Sequence, residues 1–435
     1  MSGKYPLYIK IFIGLAVGLI AGLITNFFFP QNKDVQWFIA NVAYPLGQIF
    51  LRLIFMIIVP LIFTAIVLGV ADFKDINKIG RVGLKVLFYT FVITSISVFI
   101  GLFLVDVIQP GKGIDEQGRN ILINMISDKQ NVSSIIEKAN ESKSVIQIIV
   151  NIIPRNPFVD IVNYLDPNYR GGGLISLMFF ALIFGIALAM IKQEKAAPLI
   201  KVFQALYEVV MKIIDFAMKL APYGVAALVF STAAGLGFSI VTILAKYIMV
   251  VIGALVIHFI FTYGAIIKFI IKRNPWHFFR DISEVLLTAF STSSSNATLP
   301  TSIRVTQDNL KVDKDITNFV LTVGSTANQN GTALYEGITV LFLAQFFGIE
   351  LSILQQLMVV FLSILAGIGT AGVPGGSLPL VVMVLQTVGV PAEGIGIILG
   401  VDRILDMSRT VVNVSGDIVL AAWVDKSENK KSAAA

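Results

Sequence analysis

Up to residue 273 apolar residues dominate a series of long blocks separated by more polar stretches. The blocks fall at roughly 8–29, 38–70, 82–108, 174–192, 198–220 and 235–272. Each is about 20 residues or longer, the length of an α-helix that crosses a bilayer and far beyond the roughly ten residues of a barrel strand. The pattern predicts six transmembrane helices. The first block, IFIGLAVGLIAGLITNFFF, has no small-residue cleavage site and is followed by further spans, so it reads as a first helix and not as a signal peptide.

Beyond residue 273 the chain stays hydrophobic but is repeatedly interrupted. FSTSSSNATLP (290–300), NQNGT (328–332) and GIGTAGVPGGSLP (367–379) each place polar or helix-breaking residues inside an apolar segment. In hydrocarbon an unpaired backbone polar group costs several kcal/mol, so such breaks survive only where they are buried in protein or line a wet cavity. The two Ser/Gly-rich segments read as re-entrant hairpins with tips at mid-membrane. Their helix N-termini suit anions and their free carbonyls suit cations. ATLP and GSLP each close a hairpin tip, which suggests an inverted repeat, with chance similarity as the alternative.

Composition agrees with a membrane protein. Of 435 residues 56% are hydrophobic and only 14% are charged, with mean hydropathy +0.83; soluble domains carry about 25% charged residues. There is no cysteine, hence no disulfide and no thiolate chemistry. The net charge of +6 belongs to loops: Lys4 and Lys10, Lys74 to Lys85, Lys192 to Lys201 and Lys268 to Arg280 fall on one side of alternating spans, which the positive-inside rule assigns to the cytoplasm. The stretch 109–145 carries five basic and five acidic residues and reads as an external insertion. No phosphate loop, no G-x-S-x-G and no histidine set suited to a metal occurs, so neither an ATP-driven pump nor an enzyme is expected, and no nucleic-acid partner.

The last apolar segment holds the chemistry. On a helix, Asp402, Asp406, Arg409, Thr410, Asn413 and Asp417 lie within an arc of roughly 100°. A charge at the bilayer centre costs on the order of 2.5–3.5 kcal/mol even on a lenient scale, so this face must look into a polar cavity or an ion-pair network. Arg409 offers a planar fork for a carboxylate, Asp406 suits an ammonium and Asn413 donates to a second carboxylate. That set describes an acidic amino acid. Asp417 with carbonyls of the broken span suits a hard cation. Arg403, at the edge of the arc, is the expected local partner of Asp402.

The motifs TSSSNATLP, NQNGTALYEG, GIGTAGVPGG and DRILDMSRTVVNVSGD, in that order, resemble the glutamate transporter family, the dicarboxylate/amino-acid:cation symporters, and the resemblance covers nearly the whole chain. It implies an all-α integral membrane protein of eight transmembrane helices and two re-entrant hairpins with inverted repeats, an elevator-type homotrimer in a prokaryotic plasma membrane, both termini cytoplasmic. Residues 1–80 would hold scaffold helices 1–2, 81–110 transport-domain helix 3, 111–145 the external loop and 146–222 scaffold helices 4–5. Residues 223–425 would form the transport domain: helix 6, hairpin 1 (about 275–306), helix 7 (about 314–348), hairpin 2 (about 351–388) and helix 8 (about 391–425). Residues 426–435 would be a solvated tail. By the same resemblance Arg409 and Thr332 take the side-chain carboxylate, Asp406 the ammonium, and Asn413 with Ser293, Ser294 and Ser295 the α-carboxylate. Thr410 lines the pocket, and hairpin 2 from Gly367 to Gly376, with Val373, closes it. One Na⁺ site would use Gly324, Asn328, Asn413 and Asp417, a second Thr326, Gly367, Ile368 and Thr370. No prosthetic group is expected; Na⁺, H⁺ or both are the coupling ions, and lipid surrounds the protein.

The chain departs from the sodium-coupled pattern Asn-Met-Asp-Gly-Thr at Asn330, where the aspartate of a third Na⁺ site is usual. Thr90 and Ile93 replace a tyrosine and a threonine of that site, while Thr94 keeps a hydroxyl. The expectation is a lost third site; the alternative is coordination through the Asn330 amide oxygen. Glu336 shares a helix face with Asn328 and Thr332 and is the candidate proton carrier. In the family's mammalian branch a glutamate at this place is taken as the proton acceptor, while some sodium-only prokaryotic relatives have glutamine. A permanently paired or protonated Glu336 is the competing reading. A C4-dicarboxylate or neutral amino acid symporter of the same fold, and an ion channel, are the alternative functions.

Overall fold

The computed structural model describes residues 7–30, 32–71, 79–113, 150, 153–162, 174–369 and 376–432. Every described regular element is a helix. Helix α1 is Leu7–Phe28. A broken segment follows, made of α2 (Lys33–Phe38), a π-helical stretch Ile39–Ala43, α3 (Tyr44–Phe55) and α4 (Ile58–Ala71). Then come α5 (Ile79–Ile108), α6 (Pro157–Val162), α7 (Leu174–Met190), α8 (Gln193–Leu236) and α9 (Ser239–Ile257), which runs on through π turns at His258–Tyr263 and Ile266–Ile271. Short helices α10 (Pro275–Asp281), α11 (Ser283–Thr292) and α12 (Ser295–Asp308) precede α13 (Lys314–Ala327) and α14 (Asn330–Phe347). The last are α15 (Ile353–Gly369), α16 (Leu378–Thr387) and α17 (Ile395–Ser432).

Polar caps set the boundaries near the hairpins. Asn274 accepts from Trp276 and His277 at the start of α10, and Asp313 from Asp315 and Ile316 at the start of α13. Each satisfies backbone donors that the first helical turn leaves free. Between α11 and α12 the chain turns at Ser293, which sits in the left-handed region at φ 51°. Ser294 then caps α12 through a 3.2 Å bond from the Ala297 N–H. A left-handed serine costs on the order of 1 kcal/mol and persists because its neighbours impose it. α11 and α12 pack on each other, and α15 packs on α16.

α14 is the axis of the molecule. Seventeen of its 18 residues are buried, and it packs against α5, α9, α15, α16 and α17. A helix buried on every side is apolar on every side, which makes its one carboxylate, Glu336, exceptional.

Among the described residues three continuous helical stretches are long and apolar enough to cross a bilayer: Ile9–Phe28, Val82–Ile108 and Ser239–Ile271. A fourth is added if Gln193–Ile214 and Lys219–Gly235, which meet at 49°, are one span. Of the other segments expected to cross, α7 is apolar but only 17 residues long, two are broken at Met56 and Asn328, and α17 carries charges. Span five, expected at 198–220, instead belongs to the 44-residue α8. Pro222, which cannot donate to the carbonyl four residues back, lies just beyond the bend, and Gly237 at φ 59° ends the helix. The expected boundary at 222/223 therefore falls inside one helix. The stretch expected as a solvated tail begins as a continuation of the last helix. α17 continues to Ser432, because Lys85 of α5 donates to Ser427 Oγ at 2.8 Å and pairs with Glu428. The external insertion lies, beyond Gly113, outside the described residues.

α1 and α8 pack through a stripe the hydropathy pattern does not reveal. Gly14, Gly18 and Gly22 recur every four residues on one face of α1. A Cβ at Gly14 or Gly18 would meet the backbone of Pro222 or Ala226, and one at Gly22 would lie 2.7 Å from the Ala233 Cβ. Small residues at this spacing let helix backbones approach where lipid gives no hydrophobic drive. Gly18→Leu should destabilise the detergent-solubilised protein by about 1–3 kcal/mol. Val17→Leu, at a position 58% exposed, should change stability by about 0.5 kcal/mol or less. Thermal unfolding monitored by circular dichroism checks both.

Candidate functional site

The site is built around the gap between α13 and α14. Asn328 and Gln329 leave helical geometry there, and the first N–H groups of α14 lose their intrahelical acceptors. Asn413 of α17 replaces them: its Oδ1 accepts from Gly331 N at 2.7 Å and Thr332 N at 3.2 Å. Its Nδ2 donates to Gln329 Oε1 at 2.6 Å and Thr332 Oγ1 at 2.9 Å. Gln329 Nε2 in turn donates to Ser325 O at 2.7 Å and, at 3.5 Å, to Ser295 Oγ at the start of α12. The Gln329 N–H reaches Gly367 O of α15 at 3.3 Å. One residue pair thus ties together α12, α13, α14, α15 and α17.

One turn earlier on α17 lies the charge cluster. Arg409 is only 1% exposed. Its Nη1 donates to Asp402 Oδ1 and its Nε to Asp406 Oδ1, both at 3.0 Å. Nη2 is also 3.0 Å from Asp406 Oδ1 but makes no hydrogen bond in that geometry. The guanidinium stacks 4.2 Å from the centroid of Tyr335, whose hydroxyl donates to Asp402 Oδ1 at 2.8 Å. Asp402, for which Arg403 was the expected partner, is therefore held by Arg409 and Tyr335; Arg403 lies 3.8 Å from Asp406. The reason is reach along the helix: Arg409 spans both carboxylates on its own face, while Arg403 sits at the edge of the arc. Thr410 donates to the Asp406 carbonyl at 2.7 Å.

Two further polar groups surround the break. Asn328 Nδ2 donates to Asp417 Oδ1 at 2.8 Å, and Asn328 Oδ1 has no hydrogen-bond partner among the described residues. Gly324 is required here, because a Cβ on it would sit 2.5 Å from Asp417 Oδ1. On the opposite side Asn330 Oδ1 accepts from Thr94 at 2.6 Å, and its Nδ2 donates to the Tyr263 hydroxyl at 3.1 Å. The Tyr263 hydroxyl in turn donates to Val412 O at 3.0 Å, and Ser97 donates to Asn330 O at 3.0 Å. Ile93 and Thr90 are buried beside this chain of bonds, and the Thr90 hydroxyl has no partner among the described residues. Glu336, one turn beyond Thr332, is fully buried, and neither of its oxygens has a hydrogen-bond partner among the described residues.

The structure thus brings Ser295, Gln329, Thr332 and Asn413 together, Gly324, Asn328 and Asp417 together, and Thr94 and Asn330 together. Ser293 is buried with its hydroxyl unpartnered among the described residues, and Gly376 is buried at the start of the turn into α16. Thr326 and Ile368 lie on helices α13 and α15. Thr370 and Val373 lie outside the described residues. Three contributors escaped the sequence reading: Gln329, Tyr263 and Tyr335. Gln329 stood inside a quoted motif as a spacer. The tyrosines left a weaker signal, a phenol in a segment otherwise filled with Phe, Ile and Leu.

A profile of the sodium:dicarboxylate symporter family matches residues 7–427. The chain belongs to that family. Its members are symporters, which move solutes and do not transform them. Among similar proteins is the proton/sodium-glutamate symport protein of Geobacillus stearothermophilus, 35% identical over 98% of this chain and 96% of the relative. The proton/glutamate-aspartate symporter of Escherichia coli (strain K12) is 32% identical over 99% and 96%. The C4-dicarboxylate transport protein of Bacillus subtilis (strain 168) is 31% identical over 98% and 94%. The family accounts for a buried polar face in an otherwise apolar protein.

Breaking a buried ion pair from one side leaves an uncompensated charge and costs about 3–5 kcal/mol. Asp402→Ala should therefore destabilise the ligand-free protein by that amount, and Tyr335→Phe by about 1 kcal/mol through the lost bond to Asp402. Thermal unfolding in detergent measures both; an Asp402→Ala midpoint equal to wild type would show that Arg409 does not depend on this partner.

Proposed function

We propose that this chain is a secondary symporter of L-glutamate or L-aspartate, driven by H⁺, Na⁺ or both. The observation that carries the proposal is the buried face of α17, where Arg409, Asp406 and Asn413 gather a cation, an anion and an amide. The names of the similar proteins, proton/sodium-glutamate and proton/glutamate-aspartate symporters, support it. In this reading Arg409 and Thr332 bind the side-chain carboxylate, with Nη2 as the free donor. Asp406 receives the ammonium, and Asn413 with Ser293, Ser294 and Ser295 receives the α-carboxylate, while Thr410, Val373 and Gly376 line the pocket.

Two helical hairpins, α10 to α12 and α15 to α16, flank the site, and eight membrane-crossing units in a plasma-membrane homotrimer with cytoplasmic termini carry an elevator motion. Asp417, Asn328, Gly324 and Asn413 form one Na⁺ site, and Thr326, Gly367, Ile368 and Thr370 a second. The third site is lost: Asn330 is neutral, both ends of its amide are already bonded, and Ile93 offers no oxygen. Glu336 is the proton carrier in this reading: its carboxyl is buried beside the site and has no hydrogen-bond partner among the described residues to fix it in one charge state.

A second reading, a C4-dicarboxylate symporter, has its own support. Asp406 already faces Arg409 and Arg403 and so does not require a ligand ammonium, and one similar protein bears that name. Uptake into liposomes with independently set Na⁺ and pH gradients tests the coupling. An inward H⁺ gradient alone should accumulate labelled L-glutamate or L-aspartate, and Glu336→Gln should abolish that drive. Accumulation with a Na⁺ gradient only, unaltered by Glu336→Gln, would reject the proton role.

A further inference from the structure

Both N–H bonds of Asn413 Nδ2 are already taken, one by Thr332 Oγ1 and the shorter, at 2.6 Å, by Gln329 Oε1. A ligand carboxylate can be received at Asn413 only if one of these acceptors leaves. Thr332 lies on α14 and is held there by its own backbone bond to Asn413 Oδ1. Gln329 sits in the gap between helices, and its Oε1 can leave Asn413 by turning the side chain about the bond from its Nε2 to Ser325 O. Its Oε1 also has the chemistry of the incoming group: it is an sp² oxygen accepting from the same amide.

The position of Gln329 adds a consequence. Its Nε2 is anchored to Ser325 O and touches Ser295 Oγ, and its backbone N–H bonds Gly367 O on α15. Gly367 itself is closely packed, with a Cβ there 3.1 Å from the Ala333 Cβ. Displacing the Gln329 side chain therefore disturbs the residue that joins α15 to the helix break.

We propose that Gln329 is an internal stand-in for the ligand carboxylate, a positioning residue that competes with ligand for Asn413 and signals its own displacement to α15. This rests on the reading above that Asn413 receives a ligand carboxylate. The stand-in keeps the Asn413 donor satisfied while no ligand is present, avoiding the cost of an unpaired buried donor. It also weakens ligand binding by the bond that must be given up.

Calorimetric titration of L-aspartate and L-glutamate into purified full-length protein tests the proposal, with Gln329→Met, Asn413→Ala and the double variant beside wild type. Methionine matches the shape of glutamine and removes the competing oxygen. Gln329→Met should tighten binding about three- to tenfold, the worth of one hydrogen bond, and this gain should vanish in the Asn413→Ala background. Ligand-free Gln329→Met should melt lower than wild type, and saturating ligand should raise its midpoint by more than it raises that of wild type. Gln329→Glu, which keeps an acceptor on Asn413 and charges it, should weaken binding, so the two variants move affinity in opposite directions. A packing role would weaken binding in both variants, or leave Gln329→Met additive with Asn413→Ala, and either result overturns the proposal. If Asn413→Ala alone leaves affinity unchanged while Arg409→Ala abolishes it, the assignment of Asn413 to a carboxylate has failed, and the role of Gln329 falls with it.

Discussion

Backbone amides freed by the break at Asn328 and Gln329 must be satisfied away from water, and the side chain of Asn413 satisfies them. Away from water each such group costs several kcal/mol if left bare. Asn413 answers this with one oxygen for two N–H groups, and its nitrogen then needs partners of its own, found in Gln329 and Thr332. The position of α17 against α14 follows from these bonds. With α17 fixed, Arg409 lies over Tyr335, Asp417 lies against Gly324 and Asn328, and Val412 offers its carbonyl to Tyr263. The polar features of the centre are consequences of one interrupted helix.

The charges obey the same constraint. Arg409 is tolerated at 1% exposure because two carboxylates and a π face surround it. Its cation is balanced, yet Nη2 keeps donor capacity. Asn330, by contrast, forms a neutral knot among α5, α9, α14 and α17, with every amide atom bonded. Glu336 has neither arrangement. Within a few turns of one helix pair the protein holds a compensated cation, an amide bonded at both ends and a carboxyl with no hydrogen-bond partner among the described residues.

Much of this is legible in the sequence. The roughly 100° arc of Asp402, Asp406, Arg409, Asn413 and Asp417 follows from helical periodicity alone, and α17 carries all of them in one continuous helix. The breaks at Ser293 and Asn328 follow from polar residues in apolar segments. What periodicity cannot give is partnership across helices. That Tyr335 donates to Asp402, or that Tyr263 lies 3.1 Å from Asn330, depends on how α9, α14 and α17 are stacked. The chain also stays apolar from 220 to 236, beyond the expected end of the span at 220, and α8 stops only at Gly237. The Gly14, Gly18 and Gly22 stripe was visible as spacing, but its meaning required the partner helix.

The central claim is that the face of α17 recognises a zwitterion with a second carboxylate. Equilibrium titration of the wild-type protein with L-glutamate, L-aspartate and succinate, at fixed Na⁺ and pH, tests it most directly. The expected result is saturable binding of at least one amino acid and binding of succinate about 10- to 150-fold weaker, since burial of Asp406 beside a ligand lacking an ammonium forfeits a charge-assisted bond of roughly 1.5–3 kcal/mol. Succinate binding as tight as that of either amino acid would contradict the claim and make the C4-dicarboxylate reading the correct one.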